Sequence, residues 1–472
     1  MKKPLISFFL FSILSGYSYP QTVWDLDRCI DTAISNNLSI AQSYISTQVS
    51  ELGYKQSKLN LLPAFNATAS QGFNSGRSVN PVSYSYTTQS LTTNNFNVSG
   101  SVILFNGLQN QNRIKQSKAN YQSTLYQLED AKDLLTINVV NAYLQVLFAY
   151  ELVNTSENQV EGSQEQVKVT QAMVDAGQQA RINLLQIKSQ LASDKMMLVN
   201  AQSQLSTAKL ALQQLMNVPV SDSFEINYKI PEIPLTGTTG TVTEMYHKSL
   251  TVMPVIQADR QTTLGEEYAL KVSRGALWPR LSLGGNLYTN YSSASKKATV
   301  TGQQVQTVGY LQSNPDEIVI QPGPIITEQN YPFSDQLNNN LSKSLSLTLT
   351  TPILNGRQAT DNVKLGELNL RNAQLNEEQG KVTLRKEVEQ AYYDLKNALA
   401  NYEASQGQLD AATASYDDSK TRYDAGMMNA TDLLVQKNAL IKAQSDLLQA
   451  KYDLIFKSKI LDYYMGIKIT LQ

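Results

Sequence analysis

Apolar residues return every seven positions over two long stretches of this chain. Val139, Val146, Val153, Val160, Val167 and Val174 form one row; Val388, Leu395, Tyr402, Leu409, Tyr416 and Tyr423 form its counterpart. Three positions after most of these comes a row of small residues: Ala142, Ala149, Ser156, Ser163 and Thr170, answered by Ala391, Ala398, Ser405, Ala412 and Ser419. An unbroken heptad predicts helices wound left-handed on one another, and small side chains let neighbours approach closely. A leucine heptad then follows each stretch, from Leu184 to Leu212 and from Leu433 to Leu461. Each pair of stretches therefore predicts a long coiled-coil hairpin.

The two hairpins belong to a duplication. A shift of 249 positions carries Leu104-Phe105-Asn106-Gly107 onto Ile353-Leu354-Asn355-Gly356, Asp175-Ala176-Gly177 onto Asp424-Ala425-Gly426, and Met216 onto Met465. Nearer the start of each half the shift is 216, which pairs Leu62-Pro63 with Trp278-Pro279. The 33 extra residues of the second half fall between Pro279 and Ile353, around a polar loop expected at 291–340. The expected division is a signal peptide at 1–20, a first structural repeat at 21–240 and a second at 241–472. Each repeat holds a helix, a strand pair and a long helical hairpin, and the first ends in a linker rich in Pro and Gly. The predicted helix over 106–175 would be about 105 Å long at ~1.5 Å per residue. Helices over 183–217 and 243–278 together match it, as 430–466 and 23–62 match 355–424.

Within each repeat the period switches to two over short segments. Phe65, Ala67 and Ala69 alternate with polar residues, as do Phe96, Val98 and Val102. In the second half Leu281, Leu283 and Leu287 do so, then Leu345, Leu347 and Leu349. Apolar-out and polar-in over about 10 residues is the pattern of a transmembrane β-strand. Four strands cannot close a barrel, since about eight is the smallest number seen, so the barrel must be shared between chains. Tyr84, Tyr86, Tyr288, Tyr291, Tyr331 and Phe333 lie near these strands, either as interfacial belts or as exposed loop aromatics.

Composition narrows the function. Of 472 residues 42% are hydrophobic and 17% charged, too apolar for a disordered chain and too polar for a helical membrane bundle. The net charge of −1 falls to −3 without Lys2 and Lys3, which excludes a basic nucleic-acid surface. Those two lysines precede an apolar run from Leu5 to Leu14, the layout of an export signal with cleavage expected between Gly16 and Gln21. Beyond it no apolar stretch is expected to reach the roughly 18 residues of a membrane-spanning helix. Cys29 is the sole cysteine and reads as a buried helical thiol; His247 is the sole histidine and has no partner for a metal site. No catalytic constellation, metal-ligand spacing or phosphate loop is present in the sequence, so neither enzymatic activity nor a cofactor is expected.

The ordered set Trp24-Asp25-Leu26-Asp27-Arg28-Cys29-Ile30-Asp31-Thr32-Ala33, Leu62-Pro63, Leu104 to Gly107, Thr351-Pro352-Ile353-Leu354-Asn355-Gly356 and the two Asp-Ala-Gly turns resembles the TolC family of outer membrane efflux and secretion proteins. It spans nearly the whole mature chain. The resemblance implies all-α antiparallel coiled-coil hairpins forming an α-barrel, plus four transmembrane strands per chain in a twelve-stranded β-barrel shared by a homotrimer. It further implies a passive export conduit in the outer membrane lipid, extending into the periplasm. The expected partners are a periplasmic adaptor protein and an inner-membrane pump of RND, ABC or MFS type.

The resemblance also places the entrance gate at Asp432 and Tyr423, with Tyr423 bonding a neighbouring helix. Val435 and Asn183 stand where an acidic ring would have further members. Asp432 is read two ways, as a ring of carboxylates about the tunnel axis or as a first-turn helix acid. The turns Gly177, Gln178, Gln179 and Gly426, Met427, Met428 are likewise helix stops or adaptor contacts. Two other readings of the chain are a periplasmic adaptor, which would need β-rich domains flanking one hairpin, and a structural coiled-coil surface protein.

Overall fold

The computed structural model describes residues 23–79, 86–221, 223–229 and 240–469. The expected signal segment 1–20, Tyr84 and the linker residues 230–239 lie outside these. Helices α1 (Leu26–Asn36) and α2 (Leu38–Leu59) lead to strands β1 (Ala64–Val79) and β2 (Tyr86–Asn106), then to the hairpin of α3 (Gln109–Asp175) and α4 (Arg181–Leu215). The second half repeats this order with α5 (Val242–Val252), α6 (Pro254–Gly275), β3 (Arg280–Ser292), β4 (Lys296–Leu311), β5 (Asn314–Asn330), α7 (Phe333–Asn339), β6 (Ser342–Thr350), α8 (Gln358–Asp424) and α9 (Ala430–Tyr464). Both long helices have 67 residues and both returning helices 35.

Three features differ from the sequence expectations. The helices expected over 23–62 and 243–278 are each broken once, at Asn37 and at Met253. Asn37 accepts from the N–H groups of Ser39 and Ile40, and Pro254 forces the residue before it out of the helical region. The polar loop expected at 291–340 is ordered instead as the β4–β5 hairpin and α7, so the described chain has six strands rather than four. The third is α3, which holds an 18-residue window apolar enough to cross a membrane by length and composition, where the sequence reading expects none; part of that window is buried in the fold.

The chain forms two compact units. The first comprises the described residues within Met1–Glu51, Ala119–Thr263 and Asn372–Gln472. Its largest core joins α1, α3, α4 and α9 through Cys29, Val139, Tyr143, Leu147, Leu212 and Ile455. The start of the linker closes this core: Trp24 bridges Ile226 as parallel strands, and the Tyr143 hydroxyl donates to the Asn227 carbonyl at 2.8 Å. Burial there pushes the Cys29 thiol up to about 12, leaving it unreactive as expected of a packed helical cysteine. A second core joins Leu384, Val388 and Leu461 to Met245, Met253 and Ile256. Its first three residues stand 249 positions after Leu135, Val139 and Leu212 of the first core.

The second unit, Leu52–Lys118 with Leu264–Arg371, carries the strands. Among the described residues they form an antiparallel sheet in the order β1-β2-β3-β6, with β4 and β5 paired to each other alone. Register fixes the faces. Phe65, Gly100, Gly285 and Leu345 lie in one cross-strand row, and Val102, Leu283 and Leu347 in another. The opposite face presents Asn66, Ser99, Asn286 and Ser344, then Thr68, Asn97, Tyr288 and Ser342. Tyr288 thus belongs to the polar face, where its hydroxyl donates to Asn95 Oδ1 at 3.0 Å. Phe333 packs against both Tyr291 and Phe96, at centroid distances of 5.0 and 6.4 Å.

Candidate channel entrance

The hairpin turns are built the same way twice. Gly177 donates its N–H to the Val174 carbonyl and Gln178 donates to Met173, at 3.0 and 2.8 Å. Gly426 and Met427 repeat the pattern on Tyr423 and Arg422 at 2.9 and 2.8 Å. Both glycines are left-handed, with φ of 75° and 72°, so a side chain at either would be strained. Gly177, Gln178, Gly426 and Met427 are exposed; Gln179 and Met428 are half-buried. Met428 packs on the small core around Tyr423, Ile187 and Leu433, which gives it a structural duty alongside the expected contact role.

The returning helices start differently. Asn429 caps α9, its Oδ1 accepting from the Asp432 N–H at 2.8 Å while its Nδ2 donates to Asp432 Oδ2 at 2.8 Å. At the matching position of α4 stands Ala180, which offers no side-chain cap. Asp432 is exposed and held in this reciprocal cap. Tyr423 is fully buried near the end of α8, its hydroxyl 3.4 Å from Thr170 Oγ1 of α3. The two expected gate residues therefore stand on either side of the turn, one tied across to the first hairpin and the other to its own helix.

A larger set of ties was not singled out in the sequence. Asp194 of α4 is fully buried, with Lys437 Nζ of α9 at 3.0 Å and Gln190 Nε2 at 2.8 Å. The Ser163 hydroxyl of α3 hydrogen-bonds the same carboxylate. Further along, Lys451 and the Tyr452 hydroxyl both reach Glu151 Oε1 at 3.0 Å. Gln159 and Gln444 make a longer contact between these two sites, at 3.5 Å. These groups border a groove of about 490 Å³ between the two hairpins. Desolvation and the Glu151 carboxylate raise the Tyr452 hydroxyl above its ordinary range, so it stays a donor.

A family model described as Outer membrane efflux protein matches residues 29–218 and 246–466. The chain belongs to that family. Its fold is that of TolC-type channels. A CusC crystal structure superposes with a TM-score of 0.73 at 17% identity, covering 94% of this chain and 92% of that one. The Campylobacter jejuni CmeC outer membrane channel gives 0.71 at 19% identity, covering 99% and 93%. Among curated proteins, toxin and drug export protein A of Aggregatibacter actinomycetemcomitans is 20% identical over 385 residues, covering 81% of this chain and 73% of that protein. The efflux-channel family and its outer membrane location agree with the resemblance drawn from the motifs.

Proposed function

We propose that three copies of this outer membrane efflux protein form one continuous export conduit. The observation that carries this reading is the four-stranded sheet, apolar on one face and polar on the other, whose outer strands β1 and β6 each pair on one side alone among the described residues. Unpaired strand edges cannot remain open in a bilayer, because every backbone group there needs a partner. Three sheets joined edge to edge give a twelve-stranded barrel with amide and hydroxyl groups inside. The two repeats, 21–240 and 241–472, supply the hairpins of an α-barrel reaching into the periplasm. The conduit is passive, and an inner-membrane pump of RND, ABC or MFS type selects the cargo through an adaptor. The turns at 177–179 and 426–428 are the adaptor contacts, Asp432 lines the entrance and Tyr423 holds it closed.

The mass of the protein in mild detergent, measured by light scattering, tests the assembly. A trimer that migrates differently with and without heating is expected. A stable monomer that keeps its full strand content sinks the shared-barrel reading.

A further inference from the structure

The β4–β5 hairpin leaves the sheet beyond the aromatic cluster of Tyr291 and Phe333, and Lys296 and Lys297 stand at its root beside Asn330. Its 16- and 17-residue strands give it a reach of about 50 Å at ~3.3 Å per residue. The register, with its bulges after Val300 and Thr307, sorts the side chains onto two faces. One face collects Val300, Val305, Tyr310, Ile318, Ile320 and Ile326, each between 55% and 68% exposed, with Gln303 and Thr307 set among them. The other carries Thr299, Gln304, Gln306, Gln321 and Thr327, with Val319 and Ile325 as its apolar members. Two strands standing alone with a bare apolar face are marginal in water; a further surface must cover them.

We propose that this apolar face packs against the same hairpin of the other two copies, forming a three-sided β-prism on the assembly axis. The inference rests on the shared-barrel reading, and continuity with that interface is what selects the occupant. The hairpin is spliced between β3 and β6, and β6 is an edge that another copy must pair. Neighbouring hairpins are therefore brought together at that end of the barrel. A lipid surface is the poorer occupant, because aromatic side chains mark a membrane interface and the hairpin begins past them with two lysines.

Single-cysteine variants in a Cys29→Ala background test the packing. A flexible bis-maleimide added to the detergent-extracted protein should link Val305→Cys, and separately Ile320→Cys, into covalent dimers and trimers on denaturing gels. Gln306→Cys, on the opposite face, should stay monomeric under the same treatment. If light scattering shows an intact trimer and neither Val305→Cys nor Ile320→Cys links, the prism is wrong. Quenching of a fluorophore on Val305→Cys by brominated lipid in vesicles would also overturn it, assigning the face to the membrane. Loss of the trimer itself would instead strike the shared barrel, and the hairpin proposal would fall with it.

Discussion

Lys437 of α9 sits 3.0 Å from the carboxylate of Asp194 on α4, whose side chain has no exposure. The pair ties the returning arms of the two hairpins together beside the Tyr423 core. Truncating Lys437 leaves a buried carboxylate without its counter-charge, a loss of roughly 3–5 kcal/mol. Lys437→Met should therefore lower the midpoint of helical unfolding sharply. The double variant Asp194→Leu/Lys437→Met should recover most of that loss, because paired removal of a buried ion pair is often neutral. A double variant as unstable as Lys437→Met alone would show that the pair is incidental.

That tie was partly legible. Asp194 stands seven residues from Ile187 and seven from Ala201, both buried, so a carboxylate interrupts an apolar row of α4. Lys437, Gln444 and Lys451 continue from buried Ala430 at the same spacing on α9. The heptad gave the helices and the seams they bury; which polar residue answers which required the distance between hairpins, a tertiary quantity. The strands were legible because alternation is strict where one face must be apolar. The β4–β5 hairpin was not, since its register shifts three times and its Thr, Gln, Pro and Gly content resembles a loop. Likewise Asn429 is an ordinary cap residue, yet its reciprocal bond with Asp432 appears only with coordinates.

Tyr423 offers a narrower test. Its hydroxyl meets Thr170 at 3.4 Å, a long neutral hydrogen bond for which about 1 kcal/mol is a reasonable ceiling. Tyr423→Phe keeps the ring in its pocket and removes that tie. Open-channel conductance in planar bilayers should rise, with ion selectivity unchanged. An unaltered conductance would confine Tyr423 to packing.

The two readings of Asp432 separate cleanly. Asn429→Ala removes the cap and should cost ~1 kcal/mol of helix stability while leaving the carboxylate in place. Asp432→Asn should instead weaken cation selectivity, because three carboxylates about one axis attract cations. The reversal potential in a salt gradient decides. No shift in Asp432→Asn would leave the residue as a helix-start acid alone.

The exposed turn residues Gln178 and Met427 predict a loss of function without a loss of structure. Gln178→Asp and Met427→Asp place charge where the adaptor is proposed to dock, without touching the left-handed glycines. Export of a pump substrate from whole cells should fall at least tenfold, at unchanged trimer yield. Normal export in both variants would reduce the turns to helix stops.

Stability should respond to pH through the acidic end of the core. Burial, with Glu129 and Asp130 close by, raises the Asp133 carboxyl to about 6, against the opposing effect of Lys132. Burial raises Asp130 as well, and Glu387 by burial and the charge of Asp130. A carboxyl raised in the folded state binds its proton more tightly folded than unfolded. Its contribution is therefore fully present below the unfolded value of about 4 and is lost as pH rises through about 6. Other carboxylates act in the opposite sense: Asp394, lowered mainly by its bond with Lys457, stabilises at higher pH. Comparison with Asp133→Asn isolates the Asp133 effect from these. The variant should match the wild type near pH 3 and exceed it at pH 7.5 by about 1 kcal/mol, after allowing for solvent screening of a half-buried group. Thermal unfolding followed by helical circular dichroism at both pH values makes the comparison. A stability difference that does not change between them would show that Asp133 ionises freely and that the cluster carries no strain.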